Sequence, residues 1–123
     1  MAILLASHHL YPDGVRVDHR RAVLGILDGS RRLAVQWEED RADCVMLLIE
    51  RAAGRFFGRI RRCGPGSAET IVDVSMLLVS HGPDVWRFEG SYVEGDGEPR
   101  PWTVVAIRPN STRPATDSEG EAP

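Results

Sequence analysis

The sequence predicts an all-β fold, an antiparallel meander of about eight strands closing into a small up-and-down barrel. Turn-forming residues recur at short, fairly even spacing between apolar stretches. The connections are also too short for a parallel crossover, which needs a dozen or more residues, usually helical. Strands joined this way are antiparallel neighbours, and closing the meander on itself removes the unpaired edges that an open sheet would leave. A two-sheet sandwich is the runner-up arrangement of the same strands.

The first strand covers residues 2–6 and the second 20–28, which Asp28-Gly29-Ser30 ends before a third at 31–38. A polar connector, Glu38 to Asp43, leads to a strand at 43–51, and Ala52-Ala53-Gly54 turns it back into 55–62. Both glycine-containing turns read as tight hairpins, because glycine supplies the positive φ that a short hairpin loop needs. Cys63-Gly64-Pro65-Gly66-Ser67, Ser80-His81-Gly82-Pro83 and Glu94-Gly95-Asp96-Gly97-Glu98-Pro99 then separate strands at 69–79, 84–93 and 100–108. One segment has a rival reading. Val45, Leu48, Ile49, Ala52 and Phe56 also fall at helical spacing behind Asp40 as a cap, so a helix at about 40–53 would make the fold α+β. Gly54, Gly58 and the Phe56-Phe57 pair favour the hairpin. From Pro109 the sequence PNSTRPATDSEGEAP has no large apolar side chain and reads as a disordered tail, leaving one domain at 1–108.

Apolar residues make up 42% of the 123-residue chain, charged residues 27%, and the formal net charge is −3. These values exclude a disordered polyelectrolyte and argue against a generic nucleic-acid-binding protein. Cys44 and Cys63 have neither zinc-ligand nor CxxC spacing, and no charged-then-apolar leader precedes the first strand, so a cytoplasmic protein without cofactor is expected. No apolar run is long enough to cross a bilayer as a helix. His8, His9, His19 and His81 lack the two-histidine-plus-carboxylate spacing of a metal site. If the first strand continues, His8 and His9 point to opposite faces, and a strand-end histidine beside Tyr11 suits acid–base work at a barrel mouth.

Strand alternation assigns the faces. Leu33, Val35 and Trp37 point inward, as do Phe56, Gly58 and Ile60, and Trp86, Phe88, Gly90 and Tyr92. The inward glycines let strands coil sharply as a small barrel requires, or leave room for a ligand. Strand 69–79 is apolar on both faces except for Asp73 and Ser75, which either contact a ligand or pair across strands, Asp73 with Arg59 or Arg61. Apolar residues on both faces here and at 44–49 point to a homodimer. Between Glu50 and Glu69 lie Arg51, Arg55, Arg59, Arg61 and Arg62 with no acid among them, the sharpest charge feature of the chain.

Arg55-Phe56-Phe57-Gly58-Arg59 followed by Asp73-Val74-Ser75 resembles the RxxxR and DxSxxG pair of PilZ domains, β-barrels that bind cyclic di-GMP. Leu78 stands where that motif has its glycine, and some thirty ordered residues follow it, too few for the rest of that barrel, so no activity is carried over. The predicted topology alone is similar to that of lipocalins and avidins.

Two functions follow. The first is a small-molecule-binding barrel whose aromatic interior encloses an apolar ligand, with or without cyclase or isomerase activity. Its candidate ligand-binding residues are Trp37, Phe56, Asp73, Ser75, Trp86, Phe88, Tyr92 and Trp102. The second is an interaction or inhibitor protein that meets an acidic partner through the Arg51 to Arg62 strip, with Arg55, Arg59 and Arg61 on its outer face.

Overall fold

A computed structural model describes residues 2–66 and 69–109, so the tail from 110 onward lies outside the described residues. Its strands are β1 (Ala2–Leu10), β2 (Arg16–Asp18), β3 (Arg21–Leu27), β4 (Ser30–Glu39), β5 (Ala42–Ala52), β6 (Arg55–Cys63), β7 (Thr70–His81), β8 (Val85–Glu94) and β9 (Arg100–Ile107). Each pairs antiparallel with its neighbours, and β1 pairs with β9 to close the sheet. The meander therefore forms an eight-stranded barrel, β1 with β3–β9, and the short β2 is added along β1. This is the all-β fold that the turn spacing predicts.

The helix at 40–53 is corrected to a strand. In β5, Cys44, Met46 and Leu48 are buried while Val45 and Leu47 are 42% exposed, so burial follows a period of two rather than the helical one. Asp40 does not cap a helix; Asp40 and Arg41 form the β4–β5 turn with φ of 52° and 63°. Inward rows from all eight barrel strands fill the core, with Leu33, Val35, Met46, Leu48, Phe56, Phe88 and Val104 fully or almost fully enclosed. Gly58 and Gly90 serve coiling. A Cβ at Gly58 would collide with the carbonyl of Leu47, and one at Gly90 with that of Ser75, because neighbouring backbone passes directly over both.

The first strand runs farther than the sequence indicates. β1 continues to Leu10, pairing His8–Leu10 with β2 on one side and Ala6–Leu10 with β9 on the other. On the β2–β3 side the register moves from His8 opposite Asp18 to Leu5 opposite Ala22, so residues 19–21 face only residues 6–7. This extra residue is a bulge. Across it the backbone N–H of His19 donates to the Ser7 carbonyl at 2.9 Å, and that of Arg20 donates to the Gln36 carbonyl at 2.7 Å.

Candidate functional site

One end of the barrel is a mouth formed where β1, β4, β6 and β8 end and β7 and β9 begin. The inward row Leu33, Val35, Trp37 of β4 takes one more step to Glu39, and the row Phe56, Gly58, Ile60 of β6 takes one more to Arg62. In the same way β8 ends in Tyr92 and Glu94, and β1 carries Ser7 and His9 with Tyr11 just past its end. Tyr11, Trp37, Glu39, Ile60, Arg62, Val72, Tyr92, Glu94 and Trp102 enclose a hollow of about 60 Å³.

Aromatic rings make its walls. The Trp37 and Trp102 centroids are 6.2 Å apart, and those of Tyr92 and Trp102 are 5.7 Å apart in an edge-to-face arrangement. Beneath them lies the His9 ring, 4.7 Å from Trp102 and 5.0 Å from each of Tyr11 and Trp37. Glu39 is fixed in place by two donors, the Tyr11 hydroxyl to Oε2 at 2.8 Å and the Trp37 indole N–H to Oε1 at 3.1 Å.

A polar chain continues from Glu39 into the core. His9 Nε2 lies 3.5 Å from Glu39 Oε1, His9 Nδ1 is 2.8 Å from His19 Nε2, and His19 Nδ1 is 2.7 Å from Ser7 Oγ. Because an ionised carboxylate only accepts, the favourable arrangement turns the His9 Nε2–H toward Glu39. His9 Nδ1 then accepts from His19 Nε2–H, and His19 Nδ1 accepts from the Ser7 hydroxyl. Burial holds both imidazoles neutral, lowering His9 to about 4 against the opposing pull of Glu39, and His19 to about 3. Burial also raises the Tyr11 phenol, with Glu39 adding to the effect, so Tyr11 stays a donor.

Two buried polar atoms on residues that line the hollow lack a hydrogen-bond partner, Arg62 Nε and Trp102 Nε1, while the deeper His9 Nε2 has only its 3.5 Å approach to Glu39. A buried donor left unpaired costs about 1–3 kcal/mol.

The residues that the sequence singles out divide between the mouth and other places. Trp37, Tyr92 and Trp102 come together there. Phe56 and Phe88 lie deeper, in edge-to-face contact at 5.1 Å within filled core. Trp86 sits at the opposite end, where the Arg108 guanidinium lies 5.9 Å from its ring centroid. Asp73 and Ser75 are on the outer face, away from every inward aromatic, and Asp73 accepts from Arg59 Nε at 3.2 Å as a cross-strand pair. Arg55, Arg59 and Arg61 also face outward, Arg61 bonding to Glu69 at 2.9 Å, whereas Arg62 turns into the mouth.

Ser7, Glu39 and Glu94 have no site role in the sequence pattern, Arg62 is counted there with the basic strip, and His19 is weighed only as a metal ligand. A strand-end histidine beside Tyr11 is placed at a barrel mouth, where His9 and Tyr11 lie. Extending each inward row by one alternation reaches Glu39, Arg62 and Glu94. His19 enters through the bulge, which no strand period reveals. Among the described residues no cluster of three His, Cys, Asp or Glu side chains is arranged to hold a metal ion. No protein-family model matches the chain, and no curated protein matches its sequence.

Proposed function

We propose that the protein is a small-molecule-binding barrel whose ligand seats its polar head in the mouth, against Trp102 and Arg62, with its body along the Tyr11 and Tyr92 rings. The observation that carries this reading is the presence of two unpartnered buried donors, Arg62 Nε and Trp102 Nε1, on residues that line one aromatic-walled hollow. Aromatic walls with a few placed polar groups are the usual composition of a ligand site. The interior below does not serve as a ligand chamber, since Phe56, Phe88 and Met46 fill it. The ligand therefore enters head first and remains partly outside.

Native mass spectrometry of protein purified from its own host tests this. A reproducible added mass, lost on denaturation and absent from Arg62→Met, supports the seat. A bare mass, together with a fragment library that leaves the fluorescence of Trp37 and Trp102 unchanged, overturns it. The enzymic form of the reading, a cyclase or isomerase, rests on the Glu39 carboxylate facing the hollow as a proton acceptor. Conversion of the bound compound to an isomer of equal mass, read by chromatography, is its test.

A second reading is supported by the outer face. Val45, Leu47, Phe57 and Ile71 are 42–46% exposed there and line a groove of about 810 Å³ together with Arg51, Arg59 and Arg61. An apolar floor with arginines suits an acidic protein segment, and the Arg59–Asp73 and Arg61–Glu69 pairs are exposed enough to exchange partners at little cost. Changing Arg59 and Arg61 together to Glu abolishes partner binding under this reading and leaves ligand affinity at the mouth unchanged.

A further inference from the structure

The hollow is lined by residues that carry hydrogen-bonding groups of opposite kind. Trp102 Nε1 and Arg62 Nε are donors without partners, and Trp102 is only 3% exposed, so its N–H meets no bulk water. Glu39 is an acceptor with capacity left. A carboxylate offers about four lone-pair sites, and here Tyr11 and Trp37 each occupy one and the His9 Nε2–H, 3.5 Å away, is turned toward a third. Glu94 supplies a second carboxylate at the rim.

This pairing excludes two simple ligand classes. A carboxylate or phosphate head would meet Arg62 but would also lie beside Glu39 and Glu94, where like charges repel. An ammonium head would satisfy the carboxylates and leave the Trp102 and Arg62 donors facing a group with nothing to accept them. A neutral group that presents an acceptor beside a donor can satisfy both kinds at once. The volume of about 60 Å³ limits the part that enters to a small group.

We propose, building on the small-molecule reading above, that the mouth selects a cyclic cis-amide edge: the C=O and adjacent N–H of a lactam, imide or ureide ring. The carbonyl accepts from Trp102 Nε1 and Arg62 Nε, the ring N–H donates to Glu39, and the ring carbons rest against Tyr92 and Trp102. Sites built to bond a ligand N–H reject analogues that lack it far more strongly than they reject a change of shape, because the site's own polar group is then left unpaired.

The test uses three probes of nearly equal size: 2-piperidone, N-methyl-2-piperidone and δ-valerolactone. Each is titrated into the full chain while the indole N–H resonances of its 3 tryptophans are followed by NMR, with Trp102→Phe assigning one of them and Trp86 serving as the remote reference. The expected result is a saturable shift of the Trp102 resonance with 2-piperidone, at least about tenfold weaker binding of the other two, and no movement of Trp86. Equal affinities for the three probes overturn the amide-edge proposal and leave a mouth that binds without this selectivity. Silence of all three, while some fragment of another class moves Trp102, overturns it in the same way. If no compound of any class moves Trp102, the small-molecule reading fails along with it.

Discussion

At the end of the barrel formed by the β3–β4, β5–β6 and β7–β8 turns, Arg31 grips Glu50 with two hydrogen bonds of 2.8 and 2.6 Å. The backbone N–H of Gly54 adds a third at 2.8 Å, and the guanidinium lies 5.6 Å from the centroid of Phe56. At the mouth end, Arg62 and Glu39 occupy the corresponding last inward positions of β6 and β4, also beside aromatic rings, yet Arg62 Nε has no partner and Glu39 is bonded only by uncharged donors. The same residue types thus close one end and leave the other unfilled. What differs is whether the arginine and the carboxylate satisfy each other. A satisfied bidentate pair is a plug, while the separated pair leaves Arg62 Nε without a partner.

The largest effect expected from this contrast lies in the filled half. Phe56→Ala empties a fully enclosed position, and a loss of about 4 kcal/mol of stability is expected. Trp102→Phe, at the mouth, removes an indole N–H that has no partner, and we expect a cost below about 1.5 kcal/mol with loss of the proposed ligand binding. Urea unfolding of the two variants compares them directly. Equal costs would mean that Trp102 belongs to the packed core and that the mouth is closed.

Acid separates the two ends by pH. Burial sets His9 and His19 below their ordinary value of 6.5, to about 4 and about 3. Between pH 6.5 and about 4 the unfolded chain therefore binds protons that the folded chain refuses. Stability from these groups is complete above 6.5 and falls as pH falls, by about 1.4 kcal/mol per pH unit for each histidine fully within that window. Glu50 behaves otherwise. Its hydrogen bonds from Arg31 lower it from 4.5 to about 2, so the plug contributes fully above pH 4.5 and is lost only as pH falls toward 2. Denaturation midpoints measured from pH 7.5 to 4.5 are expected to decline steadily. A flat profile would show that the histidine chain takes up protons inside the barrel.

Removing the plug's charge is the next effect in size. Glu50→Gln leaves Arg31 with one neutral acceptor in a position where the glutamate is 15% exposed, and a loss of about 2 kcal/mol is expected after allowing for the exposure of Arg31. Glu39→Gln at the mouth keeps an amide oxygen for Tyr11 or Trp37, and we expect less than about 1 kcal/mol. Thermal unfolding of both variants ranks the ends. If Glu39→Gln is the more costly, Glu39 holds the mouth together and is not held in reserve for a ligand.

How much of this was legible in the sequence follows from what each feature depends on. Alternation and turn chemistry are local, so the inward rows of β4, β6 and β8 and the hairpins at Asp28-Gly29 and Ala53-Gly54 are visible without coordinates. The coiling role of Gly58 and Gly90 is visible as one of two alternatives, and only the overlying carbonyls of Leu47 and Ser75 decide it. The candidate site is less legible. Trp37, Tyr92 and Trp102 are found because large aromatics must be buried. Glu39 and Arg62 are missed because charges at strand ends ordinarily mark solvent, although here the strand carries its inward parity past the last apolar residue. Asp73 and Ser75 attract notice for the same reason in reverse: polar residues in an apolar row, on a face whose apolar members are themselves exposed. The Ser7–His19 contact depends on a bulge and on the pairing of β1 with β2, both of which are long-range facts.

The smallest effect concerns the turns rather than the interior. Asp28-Gly29 and Asp40-Arg41 join consecutive strands at opposite ends, and all four residues have positive φ, with Gly29 at 78° and Arg41 at 63°. Left-handed backbone costs a non-glycine residue about 1–2 kcal/mol, so only the mouth-end turn stores strain at its second position, two residues beyond Glu39. Glycine at that position adds freedom to the unfolded chain worth up to about 1 kcal/mol. Arg41→Gly is therefore expected to gain about 0.5 kcal/mol net, a rise of about 2–4 °C in Tm. The Trp37 indole resonance, which reports the hydrogen bond to Glu39, tells whether that strain also sets the mouth. A gain in Tm with an unmoved resonance confines the strain to the turn, whereas a gain with a shifted resonance means that the turn holds Glu39 in its bonded position.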